Sequence, residues 1–220
     1  MMSRYVFARK SRAVLRLFVI IAVLVVTLFP IYWFATISLK SQKEAFKTPP
    51  DWIFVPTFEH YQGLFTGQVD FPQYFANSII IAFASTALAL LFGVSAAYSL
   101  SRAHFRGRNG ILVSVLASRM VPPMLFVIPY YLFFAKYGLI DTRIGLIVVF
   151  LQFNLTLAIW SMRAFFDDIP LDLEEAAYID GASDLQAFLR GVLPLATPGM
   201  VATAVLCLIL SWNKFVYALL

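Results

Sequence analysis

Long apolar segments constrain this chain more than any other feature of its sequence. Five of them reach about 17–25 residues, the length that an α-helix needs to cross the hydrocarbon core of a bilayer. Hydrophobic residues make up 61% of the chain and charged residues 13%, whereas charged residues make up about 25% of a soluble domain. The chain has too little polar surface to enclose this apolar material in water, so we predict an all-α, polytopic membrane helix bundle.

The apolar segments divide the chain into a basic tail, predicted spans and the loops between them. The predicted order is a tail at 1–16, a first span at 17–39, a loop at 40–75, and a core transmembrane domain at 78–220 with spans at 78–100, 111–134, 144–161 and after Pro198. The first apolar run exceeds the roughly 7–15 residues of a signal-peptide core, so we predict a retained membrane helix. Because an odd number of spans leaves the bundle without a return to its starting side, we expect a sixth span that this sequence lacks.

Basic residues predict the orientation of these spans. Segments 1–16, 101–109 and 163–197 together carry ten Lys and Arg residues, whereas segments 40–75 and 136–143 carry five. Because cytoplasmic loops are enriched in Lys and Arg, the first set is predicted to be cytoplasmic and the second extracytoplasmic. The amino terminus is therefore predicted to lie in the cytoplasm.

Segment 163–197 is the most acidic part of the chain, and we call it the acidic loop. It holds seven Asp and Glu residues against two basic residues, Arg163 and Arg190. A loop beside anionic lipid headgroups would favour the opposite charge. The acidic loop is therefore predicted to bind a protein.

Local signals predict two short helices in the acidic loop. The first has the sequence DLEEAAYI, and Gly181 is a typical C-terminal stop for it. Ser183 and Gln186 then match a capping box, in which each side chain bonds the backbone of the other residue. The box starts a second short helix that we expect to end before Pro194, ahead of a last span that begins after Pro198. Two such helices would act as a lever on the adjoining spans.

Three polar residues inside predicted spans are candidates for a solute path: Arg119, Gln152 and Asn154. A charged side chain at membrane depth costs about 2.5–3.5 kcal/mol on insertion scales and normally faces a bundle interior or an aqueous cavity. Arg119 therefore either pairs with a neighbouring helix or lines the path. The two amides can hydrogen-bond across helices or to a polar solute. Pro122 and Pro123 are expected to break the helix that carries Arg119.

The segment EAAYIDGASDLQAFLRGVLP resembles the EAA motif of bacterial ABC importer permeases. Gly191 stands where the motif has Ile, and the residues that match in register are Glu175, Ala176, Ala177, Gly181, Leu193 and Pro194. The segments SRMVPPMLFVIPYYLF, GLIDT, NLTLAIWSMRAFFDDIP and SWNKFVYALL resemble the maltose-type, carbohydrate-uptake branch of that family, in particular the smaller of its two permease subunits. Lys214 departs from this branch, which often has an acidic residue at that position.

The resemblance implies a type I ABC importer permease fold with six spans, in which the EAA helices are cytoplasmic coupling helices. The residues that it implies in coupling to an ATPase are Glu174, Glu175, Ala176, Ala177, Asp180, Gly181, Ala182, Leu193 and Pro194. The implied partners are a second permease in a heterodimer, two copies of a cytoplasmic ABC ATPase that uses ATP and Mg, an extracytoplasmic solute-binding protein, and membrane lipid. The implied function is alternating-access import of a sugar, oligosaccharide or polyol across the bacterial inner membrane.

The alternatives to this function are a secondary active transporter, an ABC permease for a non-sugar solute and a membrane enzyme. A secondary active transporter would be expected to carry intramembrane carboxylates, and no Asp or Glu lies in a predicted span. An ABC permease for a non-sugar solute stays open. A membrane enzyme would need a cluster of catalytic groups, but the two histidines lie in loops predicted on opposite faces. We also expect the chain to bind no cofactor, metal or nucleic acid, and, since it has no GxxxxGK[ST] motif, to rely on a partner for ATP hydrolysis.

Overall fold

The computed structural model describes residues 2–67, 70–122 and 124–213, with side chains from residue 14 onward. These residues form ten α-helices and one π-helix, and none of them lies in a β-strand. The helices are α1 (Met2–Ser38), α2 (Gln42–Ala45), α3 (Glu59–Thr66), α4 (Phe71–Arg102), α5 (Arg108–Met120), α6 (Met124–Tyr137), α7 (Arg143–Asp167), α8 (Asp172–Ile179), α9 (Asp184–Gln186), the π-helix (Ala187–Val192) and α10 (Leu193–Trp212). The prediction of an all-α chain is confirmed.

Several of these helices are long and apolar enough to cross a membrane. Among the described residues, four segments qualify singly: Val14–Ser38, Phe71–Arg102, Arg143–Asp167 and Asp184–Trp212. The pair α5 and α6 supplies a fifth segment, a broken span or a re-entrant loop, because the two helices are bent by 96° relative to each other. We predicted one span over 111–134, and the break comes at Pro122, whose ring has no N–H and crowds the preceding turn.

Contacts within the chain group it into two units, Met1–Pro72 and Gln73–Leu220. In the first unit, the segment after α1 turns back onto the end of that helix. Lys40 is 2% exposed, and its ammonium group donates a hydrogen bond to the Asp51 carbonyl at 2.7 Å. The same ammonium lies 5.4 Å from the ring centroid of Trp33 and 4.9 Å from that of Phe54. Aromatic faces attract a cation, so this cluster ties the loop to α1.

In the second unit, small residues bring α4 and α10 close to α7. A Cβ added to Gly93 of α4 would lie 2.6 Å from the Cβ of Ala158, and one added to Gly199 of α10 would lie 2.5 Å from the ring of Phe165. Ala97, one turn after Gly93, is fully buried. Gly93 and Ala97 thus lie in a helix interface, as expected from the close packing that drives helix association in lipid.

The last membrane segment begins earlier than we predicted. The expected second short helix does not end before Pro194, because α9 continues through the π-helix into α10. The N–H of Leu193 donates to the carbonyl of Phe188, five residues earlier, as in a π-turn. Pro194 has no N–H to donate, and it directly follows the π-helix, where the regular ladder of α-helical hydrogen bonds is already altered. Helical structure therefore runs without interruption from Asp184 to Trp212.

Candidate functional site at the acidic loop

The first helix of the acidic loop, α8, ends in a Schellman motif. Gly181 has a φ of +81°, a left-handed conformation that favours glycine. Its N–H donates to the carbonyl of Tyr178 at 3.0 Å, and the N–H of Ala182 donates to the carbonyl of Ala177 at 3.0 Å. These are the two bonds that define the motif. The predicted stop at Gly181 is confirmed, and it turns the chain sharply toward α9.

The next helical segment begins with the predicted capping box. The N–H of Ser183 donates to the side-chain carbonyl of Gln186 at 3.0 Å, and the N–H of Gln186 donates to the Ser183 hydroxyl oxygen at 3.4 Å. Both bonds satisfy N–H groups that a helix start leaves free. The turn between α8 and α9 is therefore fixed at both ends by local hydrogen bonds.

The inner side of α8 carries a buried carboxylate, Glu174, which is 5% exposed. Arg102, the last residue of α4, donates from Nε to Glu174 Oε1 at 2.6 Å. The hydroxyl of Tyr98, one turn earlier on α4, donates to Glu174 Oε2 at 2.5 Å. Arg102 also donates from Nη2 to the carbonyl of Ile169 at 2.9 Å. Both carboxylate oxygens of Glu174 are thus bonded to α4, and we call Tyr98, Arg102 and Glu174 the α4–α8 cluster.

The Tyr98 ring extends this cluster to two further elements. Its centroid lies 4.4 Å from that of Phe188 in the π-helix and 5.6 Å from that of Phe166 near the end of α7. The neighbouring Ser101 donates to Asp167 Oδ1, also at the end of α7, at 2.5 Å. The end of α4 therefore contacts α7, α8 and the π-helix.

The opposite side of α8 is exposed, and we call Leu173, Glu175, Ala176 and Ile179 its outer face. Ile179 is 87% exposed and Leu173 is 47% exposed. Tyr178 lies toward the turn, and partial burial together with the carboxylates of Asp184 and Glu174 raises the pKa of its hydroxyl. An apolar surface beside a free carboxylate suits a protein interface.

The other residues assigned to coupling do not all lie on the outer face. Asp180 follows α8 directly and is exposed, whereas Ala177 and Ala182 are half-buried. Leu193 packs against a buried cluster that includes Val94 and Met162, and Pro194 is exposed in the first turn of α10. The motif residues thus form two groups, one around α8 and one at the start of α10.

The candidate path residues occupy different surroundings. Asn154 is fully buried, and its Nδ2 donates to the Ser211 hydroxyl at 2.7 Å and to the Ser85 hydroxyl at 3.4 Å, so it joins α7 to α10 and α4. Its Oδ1 is buried without a hydrogen-bond partner among the described residues. Gln152 is half-buried, and Arg119 is exposed in the last turn of α5. Lys214 and the rest of the predicted last span lie outside the described residues.

A cavity of about 470 Å³ opens at the end of the bundle opposite the acidic loop. It lies between the start of α4, the start of α7 and the end of α10, and its wall includes Tyr74, Asn77 and Trp212. Arg143 in the same wall donates from Nε to Asn77 Oδ1 at 2.9 Å. Ser211 also lines the cavity, so the hydrogen bond from Asn154 reaches its wall from inside the bundle.

The described helices form an apolar bundle, and the acidic loop exposes a charged and apolar face on α8. Residues 89–220 match the family described as binding-protein-dependent transport system inner membrane component, and the chain belongs to this family. It is therefore the permease component of an ABC importer in the inner membrane, a transport subunit and not an enzyme. Family membership supports ATP-driven import over secondary active transport.

Relatives of the chain are permeases of sugar transport systems. The chain is 38% identical to the trehalose transport system permease protein SugB of Mycobacterium tuberculosis, over 87% of this chain and 69% of the relative. It is 36% identical to the diacetylchitobiose uptake system permease protein NgcG of Streptomyces coelicolor, over 95% and 67%. In a crystal structure of a bacterial ABC transporter involved in the import of the acidic polysaccharide alginate, one chain superposes with a TM-score of 0.70 and 28% identity, covering 97% of this chain and 73% of that one.

Proposed function

We propose that this chain imports a sugar, oligosaccharide or polyol, driven by ATPases that bind the acidic loop. The observation that carries the proposal is the two-sided character of α8, which is anchored to α4 by Glu174 and exposes Ile179 and Glu175 on its outer face. The names of SugB and NgcG support a carbohydrate as the solute. The excess of Lys and Arg on the same side supports a cytoplasmic amino terminus and a cytoplasmic acidic loop.

The proposed assembly contains this chain, a second permease as its heterodimer partner, two copies of an ABC ATPase and an extracytoplasmic solute-binding protein. The ATPase copies bind ATP and Mg and do the hydrolysis. Their closure moves the acidic loop, and the attached spans shift between inward-open and outward-open states. Each partner then shifts the equilibrium of the other by the same free energy.

The solute path of this proposal uses the polar residues of the bundle. Arg119 and Gln152 are the proposed lining groups. Asn154 acts from beneath the wall of the cavity through its hydrogen bond to Ser211. Amide and guanidinium groups suit a polyhydroxylated solute because they donate several hydrogen bonds in fixed directions.

Glu175→Lys tests the docking role of the acidic loop. Reversing the charge of the outer face is expected to lower the affinity for the ATPase at least about tenfold, because a surface that binds a carboxylate would then face a cation. The measurement is ATPase retention and solute uptake by the complex in proteoliposomes. Asp168→Lys is the matched control, since Asp168 is an exposed carboxylate of the same loop that lies outside α8. Wild-type retention and uptake by Glu175→Lys would contradict the proposal.

A further inference from the structure

The polypeptide connects the acidic loop directly to α7 and to α10. It does not connect the loop directly to α4, because Arg102 at the end of α4 lies 72 residues before Glu174. Any movement of α8 reaches α4 through noncovalent contacts. The closest of these are the two hydrogen bonds that Glu174 accepts from Tyr98 and Arg102. The α4–α8 cluster therefore connects α8 directly to α4.

Several contacts hold the side chains of the α4–α8 cluster in fixed positions. The side chains of Arg102 and Glu174 are 15% and 6% exposed, so solvent screens their attraction little. A buried carboxylate that loses its cation is strongly destabilised, so the two groups are held together when either moves. Arg102 is fixed further by the Ile169 carbonyl, and the Tyr98 ring is fixed by Phe188.

Glu174 and Glu175 are neighbours in sequence but point to different sides of α8, since successive residues of an α-helix are about 100° apart. Glu175 is exposed on the outer face, whereas Glu174 is buried against α4. The two adjacent acidic residues, Glu174 and Glu175, therefore have different roles. One belongs to the surface offered to a partner, and the other belongs to the bundle.

We propose that Glu174 is a positioning residue that transmits the movement of α8 to α4 through Arg102 and Tyr98. The proposal rests on the proposed function, in which an ATPase binds the outer face of α8. When that ATPase displaces α8, the cluster carries the end of α4 with it. Without the cluster, α4 keeps its contacts with α7, including the Ser101–Asp167 hydrogen bond, but follows α8 less completely, so ATP is hydrolysed without a complete change of access.

Glu174→Gln in the reconstituted complex tests this proposal, because glutamine keeps the shape of the side chain and removes its charge. The ATPase is expected to stay bound as in the wild type. The number of solute molecules imported per ATP hydrolysed is expected to fall at least about fivefold, the lower end of coupling between sites. A purely structural defect would lower uptake and hydrolysis together and leave this ratio unchanged. Asp168→Asn, which removes a carboxylate charge elsewhere in the loop, is expected to keep the wild-type ratio.

Two further variants keep the test decisive where Glu174→Gln does not fold. Tyr98→Phe removes one hydrogen bond and keeps the ring, and Arg102→Lys keeps the charge and removes the fork that also bonds Ile169; both are expected to give ratios between those of the wild type and Glu174→Gln. A wild-type ratio in all three variants would overturn the proposal, as would release of the ATPase by Glu174→Gln. If Glu175→Lys releases the ATPase while the ratio stays normal in the three variants, only the transmission role fails. If Glu175→Lys also has no effect, the docking function of the loop fails as well.

Discussion

Arg119 is an exposed cation in the last turn of α5, directly before the break that separates α5 from α6. Arg119→Ala is expected to change the rate of uptake or the choice of solute, because a guanidinium at membrane depth is retained where it faces polar surroundings. Uptake kinetics for a panel of sugars measure this effect. Arg106→Ala, which removes the same charge from the exposed loop before α5, is the control. Normal kinetics in Arg119→Ala would assign the residue a structural role.

The sequence predicted correctly those residues whose hydrogen-bond partners lie close to them in the chain. Gly181 and the Ser183–Gln186 box were predictable because their hydrogen bonds join residues at most five apart. The partner of Glu174 was not, since Arg102 is distant in sequence and a coupling role was expected for Glu174 from the motif alone. The available signals were the pair of acidic residues on different sides of one helix and the placement of Arg102 on the same side of the membrane.

At the scale of elements, the π-helix contains Gly191, which replaces the isoleucine of the motif. A Cβ at this position would have no atom within 4 Å, so a larger side chain meets no obstacle there. Gly191→Ile is expected to stabilise the protein by about 0.5 kcal/mol, because glycine is a poorer helix former than isoleucine. Thermal unfolding in detergent measures the change. Gly93→Ile is the contrasting variant, since its Cβ would meet Ala158 at 2.6 Å and a loss of stability is expected. Equal losses in both variants would contradict the prediction for Gly191.

Element boundaries were predicted well only where composition decides them. The spans predicted at 78–100 and 144–161 lie inside α4 and α7, which continue beyond the apolar windows into polar sequence. Prolines were the source of error: Pro194 was taken as a helix terminator, but the helix continues through it directly after the π-helix. Pro122 does interrupt a predicted span, and sequence alone does not give the 96° between the two halves.

The apolar stretch of α1 is exposed among the described residues. None of the hydrophobic window in Val14–Ser38 is buried in the structure. This surface needs lipid or another membrane protein around it. Purification in mild detergent is therefore expected to recover a second permease together with an ATPase, and mass spectrometry of the purified complex identifies both. Recovery of an active homo-oligomer of this chain without a second permease would contradict the proposed heterodimer.

The continuous helix from Asp184 to Trp212 connects the acidic loop to the cavity at the other end of the bundle. Its 29 residues are about 44 Å long at about 1.5 Å per residue. One end starts beside the capped turn of the acidic loop, and the other end places Ser211 and Trp212 in the cavity wall. By the same geometry, a tilt of about 10° at the loop swings the far end of a straight helix of this length by about 8 Å. In the proposed function, a small rotation of the outer face of α8 is therefore enough to change the shape of the cavity at the far end of α10.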